Sequence, residues 1–431
     1  MRIEELYQLY KESFLVDTDT RKIRENSIYF ALKGENFNGN KFAIEALEKG
    51  ASYAVVDEKE YASSDKTILV DNVLETLQML ATYHREQLKI PIIGLTGSNG
   101  KTTSKELINA VLSEKYKTHA TIGNLNNHIG VPLTLLQMTP EIKLGIVEMG
   151  ANHQKEIDFL CRIAKPNFGY ITNFGKAHLE GFGGLEGVVK GKTELYRYIK
   201  ETNGLLFVNS SIERQMKESE GIERILFGSE NDLPKTIFKE LTPFVKLELE
   251  GVEIQSNLIG IYNYTNIAAA ISIGHYFKVE NSLMKTAIEK YVPTNNRSQI
   301  LEINGNQIIL DAYNANPSSM KVALENFSML NGSSKIVFLG DMFEVGETSA
   351  EEHEEILKQI SEYNFEKIFL LGKHFSGTKL SSENIFKYED FDSFKTKNRE
   401  LLSTLENKLI LIKGSRGMAL ERIIPLIKNE L

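Results

Sequence analysis

A glycine-containing loop between an apolar strand and an amphipathic helix constrains the fold of this chain more than any other segment. The stretch IIGLTGSNGKTTSKE covers residues 92–106 and follows Pro91. Glycines allow the backbone to curl so that its N–H groups converge, and the helix N-terminus adds a favourable dipole for an anion. The order strand, loop, helix therefore predicts an α/β domain with a phosphate-binding loop, formed by Gly97, Ser98, Asn99, Gly100, Lys101, Thr102 and Thr103.

This loop departs from the usual phosphate-binding pattern G-x-x-x-x-G-K-[ST], because Leu95 stands where the first glycine belongs. We interpret it as a shortened version in which Lys101 reaches the terminal phosphates of a nucleotide and Thr102 binds Mg²⁺. The alternative is a glycine turn followed by a solvated lysine. The intact order of strand, loop and helix favours the phosphate-binding interpretation.

The chain divides into three sections with different patterns. Residues 1–88 alternate short strand-like and helical segments, which predicts a small α/β domain. Residues 89–295 contain apolar runs that break into Gly- or Asn-containing loops before helices, which predicts a parallel sheet, interrupted by a hairpin around Glu250 and Gly251. Residues 296–431 follow a linker near 293–298, and the runs QIILD, KIVFLGD, KIFLLGK and KLILIKGS predict a Rossmann-like domain without a G-x-G-x-x-G dinucleotide fingerprint.

Composition excludes several classes of protein. The net charge of −8 over 431 residues argues against a broad basic surface for nucleic acid. The single cysteine, Cys161, excludes an internal disulfide framework and fits a reducing compartment. No apolar run approaches the roughly 18 residues of a membrane span, and the first residues lack an apolar signal segment. We therefore expect a cytoplasmic protein that neither binds nucleic acid nor inserts into a membrane.

Two polar residues lie at or just beyond the ends of apolar runs in the central section, at the edge where open α/β sheets bind ligands. Glu148 ends the run LGIVE, and a carboxylate at this position suits Mg²⁺, although a solvated carboxylate agrees equally well with the sequence. His178 lies just beyond the run GYIT. A lone histidine is more often a packed or surface residue than a metal ligand, so His178 on its own predicts little.

Two further polar groups have alternative interpretations from the residues alone. Asp311, Asn314 and Asn316 end a strand-like run and either bind a ligand or cap the helix that follows. Lys190 and Lys192 lie on a predicted helix, where two exposed lysines are the default interpretation.

The chain resembles the Mur ligases of bacterial cell-wall synthesis in segments distributed over nearly its whole length: GSNGKTT, GNLNNHIGVPLTLL, VEMGANHQKEI, AHLEGFGGLEGVVKGKTEL, LDAYNANPSSM, GDMFEVGE and KGSRGMALE. This family uses the shortened phosphate loop. The resemblance implies a small N-terminal α/β domain for the uridine end of the substrate, a central P-loop ATPase-type domain, and a mobile C-terminal Rossmann-like domain. The segments ANHQKEI and AHLEGFGG favour the branch of the family that adds a dipeptide.

The resemblance also implies a reaction and its substrates. ATP would phosphorylate the carboxylate that ends the peptide of UDP-N-acetylmuramoyl-tripeptide, giving an acyl phosphate. The amine of D-alanyl-D-alanine would then attack that carbonyl and release phosphate, giving the pentapeptide precursor of peptidoglycan. A carboxylate is a poor electrophile, and phosphorylation supplies its leaving group. Both substrates are small molecules, and we expect a monomer.

Roles for individual residues follow from the same resemblance. Lys101 and Thr102 would bind the ATP phosphates and the first Mg²⁺, with Glu148 and His178 as further metal ligands. Lys192 matches the lysine that these enzymes carbamylate with CO₂, a reaction that requires a desolvated, neutral amine and would turn this lysine into a metal-bridging oxygen ligand. The positions that match the family around the nucleotide are Asn263, Asn266, Arg297, Asp311 and Asn314. Those that match at the muramoyl peptide are Asn126 and Asn127. Those that match at the uridine are Thr20, Arg21, Lys33 and Gly34.

Two departures from the family pattern concern the adenine side, and several alternative functions stay open. Tyr262 replaces the histidine of G-x-H-N-x-x-N, and Asn295 and Asn296 replace the Pro-Gly that precedes Arg297. The alternatives are a sibling ligase that adds the third peptide residue, a folylpolyglutamate synthase, a non-catalytic nucleotide-binding protein and a P-loop kinase. The absence of a D-N-P-R stretch argues against a diaminopimelate-adding sibling, and the complete set of metal and phosphate residues argues against a non-catalytic protein.

Overall fold

Three sheets composed mainly of parallel strands organise the fold, one in each section of the chain. The structure is a computed structural model that describes residues 1–229, 231–241, 243–294, 296–332 and 334–428. The departure at Asn295 lies outside the described residues. In the part of the chain covered by these ranges, no helix is both long and apolar enough to cross a membrane.

The N-terminal domain contains a parallel sheet in the order β1-β2-β5-β6 and a separate β3-β4 hairpin. Its last helix, α3, begins after Asn72, whose side chain accepts a hydrogen bond from the backbone N–H of Glu75, and ends at Lys89 in the left-handed conformation. The elements are α1 (Ile3–Tyr10), β1 (Val16–Asp17), β2 (Ile28–Phe30), β3 (Lys33–Gly34), β4 (Phe37–Asn38), α2 (Ala43–Glu48), β5 (Tyr53–Val56), β6 (Thr67–Leu69) and α3 (Val73–Leu88).

The central domain contains a six-stranded parallel sheet in the order β12-β11-β10-β7-β9-β8, followed by a three-stranded antiparallel sheet. The predicted hairpin is confirmed: β14 and β15 are joined by Glu250 and Gly251, both with positive φ. The elements are β7 (Ile92–Thr96), α4 (Lys101–Ser113), β8 (Thr118–Ala120), α5 (Gly130–Leu135), β9 (Leu144–Glu148), α6 (Glu156–Ala164), β10 (Phe168–Ile171), α7 (Leu179–Phe182), α8 (Leu185–Lys192), α9 (Glu194–Glu201), β11 (Leu205–Asn209), α10 (Glu213–Glu218), β12 (Arg224–Phe227), β13 (Thr236–Leu241), β14 (Phe244–Leu249), β15 (Val252–Ile259), α11 (Tyr262–Tyr276) and α12 (Asn281–Lys290).

The C-terminal domain contains a six-stranded sheet in the order β16-β17-β21-β18-β19-β20, in which only the β16–β17 pair is antiparallel. The four predicted strands are β17, β18, β19 and β21, whereas the edge strands β16 and β20 were not predicted. The elements are β16 (Gln299–Ile303), β17 (Asn306–Asp311), α13 (Pro317–Met329), β18 (Lys335–Gly340), α14 (Ser349–Ser361), β19 (Lys367–Leu371), α15 (Lys373–Ser376), β20 (Ile385–Tyr388), α16 (Phe391–Ser403), β21 (Leu409–Lys413) and α17 (Ile423–Lys428).

A continuous apolar core joins the N-terminal domain to one face of the central sheet. Within it, the fully buried His84 of α3 lies 3.3 Å (Nδ1) from the hydroxyl of Tyr7 and 2.8 Å (Nε2) from the carbonyl oxygen of Met138. The Met138 carbonyl can only accept, so Nε2 carries the proton and Nδ1 accepts from Tyr7. Burial lowers the pKa of His84 to about 4, and the core therefore contains a neutral imidazole at neutral pH.

Lowering the pH from 7 to 5 is expected to destabilise this core through His84. Because its folded pKa lies below the unfolded value, the unfolded chain binds more protons between about pH 4 and pH 6.5. Stability that is complete above pH 6.5 is therefore lost as the pH falls, by about 2 kcal/mol at pH 5. Urea unfolding of the wild type and of His84→Gln at both pH values measures this loss, and an equal pH dependence in the two proteins would contradict it.

Candidate active site

A cavity of about 1040 Å³ lies between the central and C-terminal domains, where the carboxyl ends of both parallel sheets face each other. In the central sheet β7 lies between β9 and β10. Open α/β sheets bind ligands at the carboxyl end of a strand in such a position, and the phosphate loop follows that end of β7. Most of the predicted site residues line this cavity: Ser98, Asn99, Gly100, Lys101, Thr102, Thr103, Asn126, Asn127, Glu148, His178, Asn266, Arg297, Asp311 and Asn314.

The phosphate loop has a backbone that only glycine can form at its first position. Gly97 has φ of +146°, and a Cβ atom placed there would lie 1.9 Å from Oγ1 of Thr172. Gly100 has φ of +77° and directly precedes α4. The two residues that follow β10 hold the loop in place. Thr172 donates a 2.6 Å hydrogen bond to the carbonyl of Asn99, and Oδ1 of Asn173 accepts one of 3.1 Å from the N–H of Asn99. The predicted curled loop at the helix N-terminus is confirmed.

Replacing Gly97 by alanine is expected to weaken binding of a non-hydrolysable ATP analogue more than tenfold and to cost about 3 kcal/mol of folding free energy, through backbone strain and the clash with Thr172. The matched control is Gly123→Ala, because Gly123 also has positive φ but a Cβ atom there meets nothing within 4 Å. Calorimetric titration and urea unfolding measure both effects. If both variants lost the same affinity for the analogue and the same folding free energy, backbone strain alone would explain the effect, and the close approach to Thr172 would have no part in it.

Lys101 lies on the floor of the cavity at the start of α4. Its ammonium donates a 2.7 Å hydrogen bond to the carbonyl of Gly97, so the side chain folds back over the loop that it follows. Part of its surface faces the enclosed cavity, yet desolvation by the surrounding protein lowers its pKa, while Glu148 raises it and Arg297 lowers it further. An anion in the cavity would restore a counter-charge for this lysine.

Thr102 and Glu148 form an oxygen-rich pair beside the loop. β7 and β9 are neighbours with Leu95 paired to Glu148, so both strands end at the same edge. The hydroxyl of Thr102 donates a 3.0 Å hydrogen bond to one carboxylate oxygen of Glu148, and Nδ2 of Asn126 donates one of 2.8 Å to the other. Hydroxyl and carboxylate oxygens suit Mg²⁺. Among the described residues, however, no group of three or more His, Cys, Asp or Glu side chains could hold a metal, so an ion here would also need phosphate oxygens and water.

His178 faces the C-terminal domain across the cavity. It has a left-handed backbone (φ +53°), and its Nδ1 atom lies 2.6 Å from a carboxylate oxygen of Glu344, in a contact that is close in distance but not aligned as a hydrogen bond. The interaction with His178 lowers the pKa of the Glu344 carboxyl. The structure therefore brings His178 to the cavity, with its nearest charged partner supplied by another domain.

Lys192 lies behind the cavity wall and not on it. The side chain is 1% exposed, its amine donates a 3.2 Å hydrogen bond to the carbonyl of Ala151, and it lies 5.0 Å from the ring centroid of Phe182. Burial lowers its pKa well below the usual lysine value, and Lys101 lowers it further. Lys190 on the same helix is exposed. Burial thus favours the neutral form of the Lys192 amine, which is the form that carbamylation requires, while the role of Lys192 at a metal stays a prediction.

Two asparagines of α11 support the loop at different depths. Asn266 lines the cavity, and its Oδ1 accepts a 3.1 Å hydrogen bond from the hydroxyl of Ser104. Asn263 is buried beneath it: Asn266 donates to its Oδ1 at 2.8 Å, and Asn263 donates to the carbonyl of Ile259 at 2.7 Å. Asn263 therefore orients Asn266 and does not itself face the cavity.

Tyr262, which replaces the histidine of the family pattern, connects the interdomain linker to the central domain. The hydroxyl of Tyr262 lies 2.9 Å from Oγ of Ser298, and the backbone N–H of Ser298 donates to Asp311 at 3.2 Å. Asp311 in turn pairs with Lys413 at 2.5 Å. Tyr262 thus connects α11 to β17 and β21 through the linker, which gives the tyrosine a role in the interdomain contact as well as at the cavity.

Arg297, Asn314 and Asn127 complete the predicted residues on the cavity wall. The guanidinium of Arg297 lies 3.6 Å from the ring centroid of Tyr313. Oδ1 of Asn314 accepts a 2.9 Å hydrogen bond from the N–H of Ala315. Oδ1 of Asn127 accepts a 2.9 Å hydrogen bond from the backbone N–H of Gly130, the first residue of α5.

The four residues predicted at the uridine lie on the N-terminal domain, outside this cavity. Thr20 and Arg21 belong to a short 3₁₀ helix, and Arg21 pairs with the preceding Asp19. Lys33 lies 2.9 Å from Asp57 and 3.0 Å from Glu58, and Gly34 belongs to the β3-β4 hairpin. Their proposed contacts with uridine stay predictions.

The cavity also contains residues without a predicted role. They include Ser318 at the start of α13, Phe343 and Glu344 after β18, and Ser415 and Arg416 after β21. Their segments, LDAYNANPSSM, GDMFEVGE and KGSRGMALE, each lie at the end of an apolar strand-like run, which was the available signal.

The comparisons with known proteins agree along the whole chain. Domain models of the Mur ligase family match it three times: the catalytic domain at residues 15–85, the middle domain at 95–274, and the glutamate ligase domain at 296–416. The UDP-N-acetylmuramoyl-tripeptide–D-alanyl-D-alanine ligase of Bacillus subtilis is 34% identical over 421 residues, which cover 95% of this chain and 92% of that enzyme. The chain belongs to the Mur ligase family.

Solved structures of Mur ligases share its three-domain α/β fold, which confirms the predicted fold class. MurF from Acinetobacter baumannii superposes with a TM-score of 0.86 at 28% identity, covering 96% of this chain and 93% of that one. The MurF ligase of Thermotoga maritima in complex with ADP superposes with a TM-score of 0.83 at 26% identity, covering 96% and 97%. As a Mur ligase, the chain is an ATP-dependent ligase. The domain boundaries at 88/89 and 295/296 stay predictions.

Proposed function

We propose that this Mur ligase joins D-alanyl-D-alanine to UDP-N-acetylmuramoyl-tripeptide with hydrolysis of ATP to ADP and phosphate. The observation that carries the proposal is the single cavity that unites the phosphate loop, the Thr102–Glu148 pair and the strand ends of the C-terminal domain. A ligase must bring ATP, an acid and an amine together, and a cavity between two domains can hold all three. The name and the near-complete coverage of the Bacillus subtilis relative support this choice of substrates.

The proposed reaction has two steps. A carboxylate oxygen of the tripeptide attacks the γ-phosphorus of ATP, the bond from that phosphorus to the β–γ bridging oxygen breaks, and ADP leaves. The amine nitrogen of the dipeptide then attacks the acyl phosphate carbon, loses a proton, and displaces phosphate. Lys101 and the loop N–H groups hold the phosphates in both steps. Thr102 and Glu148 would hold Mg²⁺, which neutralises the charge that develops on the phosphate oxygens.

We assign the remaining predicted residues to the same reaction. The buried amine of Lys192 would react with CO₂ to give a carbamate and a proton, which would convert a cation into an oxygen ligand, with His178 as a neighbouring metal ligand. Asn126 and Asn127 would contact the muramoyl peptide. Asn266, Arg297, Asp311 and Asn314 would contact the nucleotide, and Asn263 would act there through Asn266, which it orients. Thr20, Arg21, Lys33 and Gly34 would contact the uridine. The proposed enzyme is a monomer that acts in the cytoplasm on small-molecule substrates.

Phosphate release from Mg-ATP tests the proposed function. The assay contains UDP-N-acetylmuramoyl-tripeptide, with and without D-alanyl-D-alanine, and mass spectrometry weighs the product. Release that requires both substrates, with a product heavier by one dipeptide less water, supports the proposal. Use of single amino acids indicates a sibling ligase, and use of glutamate on folate indicates a folylpolyglutamate synthase. Transfer of phosphate to a stable acceptor without release indicates a kinase. ATP binding without any turnover indicates a non-catalytic protein.

A further inference from the structure

The C-terminal domain contacts the phosphate loop directly through one pair of side chains. Nδ2 of Asn316 donates a 2.7 Å hydrogen bond to Oδ1 of Asn99. Asn316 is buried, at 7% exposure, and Asn99 lies in the middle of the loop. Among the hydrogen bonds of the described residues, this one alone joins residues 97–103 to the C-terminal domain.

The orientation of the Asn316 amide is determined by its other partner, and it determines in turn the orientation of the Asn99 amide. Oδ1 of Asn316 caps α13 by accepting a 2.9 Å hydrogen bond from the backbone N–H of Ser319. The amino group of Asn316 is therefore the part that faces the loop, and the oxygen of Asn99 must be the acceptor. A single side chain thus begins a 13-residue helix of one domain and donates to the phosphate loop of another.

The backbone of the loop does not depend on this contact. Thr172 and Asn173 of the central domain bond to the carbonyl and the N–H of Asn99. The loop can therefore bind phosphate without the C-terminal domain, and the side chain of Asn99 is its group directed at that domain. A second contact lies beside it, where the backbone N–H of Lys176 donates to Oγ of Ser318 at 2.9 Å.

We propose that Asn316 is a positioning residue that stabilises the closed arrangement of the C-terminal domain on the phosphate loop through Asn99. The proposal rests on the proposed function, because turnover requires the loop and the C-terminal wall to form one cavity. A neutral hydrogen bond between domains favours the closed over the open arrangement by about fivefold. ATP can bind to the phosphate loop in either arrangement and gains its contacts with the C-terminal domain on closing. Loss of the contact therefore weakens ATP binding by at most the same factor by which it lowers the rate of ligation.

A double-mutant cycle on kcat tests the proposal with Asn316→Ser, Asn99→Ala and the double variant. Serine also caps helices, so Asn316→Ser removes the donor to Asn99 and retains the start of α13. The matched control is Asp390→Ser, which makes a similar change at the cap of α16, a helix of the same length and domain. Urea unfolding verifies that each variant folds. A calorimetric titration with a non-hydrolysable ATP analogue separates nucleotide binding from turnover.

The expected result is a fall in kcat of about fivefold for Asn316→Ser in the wild-type background and of less than about twofold in the Asn99→Ala background. The dissociation constant of the analogue for Asn316→Ser rises by no more than about fivefold, and Asp390→Ser leaves kcat unchanged. An equal fall in both backgrounds, or no fall, overturns the proposal. Small-angle scattering with the analogue provides a readout without turnover: Asn316→Ser should be less compact than the wild type. If the wild type ligates no dipeptide, the proposed function fails, while scattering still decides the role of Asn316.

Discussion

Replacing Lys101 by methionine is expected to lower kcat for ATP-dependent ligation about a thousandfold, because the variant loses a preorganised positive charge at the transferring phosphate. Methionine has a similar length and no charge, so the start of α4 keeps its packing. The other lysine and the two arginines that line the cavity have partners of their own: Lys413 pairs with Asp311, Arg416 pairs with Glu421, and Arg297 lies over Tyr313. Each of the three is therefore held away from the position of the lost ammonium.

Phosphate release under saturating substrates measures the effect of Lys101→Met. The matched control is Lys190→Met, an exposed lysine of the same domain, which should retain activity within about twofold. Urea unfolding of both variants separates catalysis from folding. A Lys101→Met protein that retains more than a tenth of the wild-type kcat would contradict the placement of Lys101 at the phosphates.

The local part of the site is predictable from the sequence, because it depends on residues that are neighbours in the chain. Gly97 and Gly100 between an apolar run and a helix determine the phosphate loop, and the structure has that loop. The placement of Glu148 required one further step. Its position at a strand end is visible in the sequence, but the hydrogen bond to Thr102 depends on β7 and β9 being adjacent strands.

The contribution of the C-terminal domain could not be predicted in the same way, since it depends on how two domains face each other. The pairing of Lys176 with Glu352 at 2.6 Å and of Asn316 with Asn99 joins residues far apart in sequence. No periodicity indicates such pairs. The edge strand β16 was missed for a related reason, because it is defined by antiparallel pairing with β17 and not by an apolar run of its own. Loop orientation and edge pairing are tertiary properties.

Lys192 is buried in the fold, although its local sequence indicates an exposed lysine. Two lysines on one short helix look alike in the sequence, yet one is exposed and the other is enclosed between α7, α8 and the loop after β9. Enclosing an unpaired ammonium is costly, so burial lowers the pKa of Lys192 and favours the neutral amine. A buried amine with a lowered pKa next to an ATP site is a group with a chemical use.

Lys192→Ala is therefore expected to lose activity about a hundredfold or more, if the carbamate supplies an oxygen ligand that holds charge at the reacting phosphate. Alanine leaves a space behind Ala151 that a small carboxylate can enter. Acetate or formate should then restore part of the activity, because a carboxylate presents the same pair of oxygens as a carbamate. Activity of the wild type should fall in CO₂-depleted buffer and return with bicarbonate.

The comparison with Lys190→Ala isolates the buried amine, since this variant removes an exposed lysine from the same helix and should behave like the wild type. Phosphate release at increasing acetate concentrations gives the rescue curve for each protein. An inactive Lys192→Ala without rescue, in a protein that still unfolds at the wild-type urea concentration, would assign the amine a role as a donor to the carbonyl of Ala151. Full activity in Lys192→Ala would remove the carbamate from the mechanism.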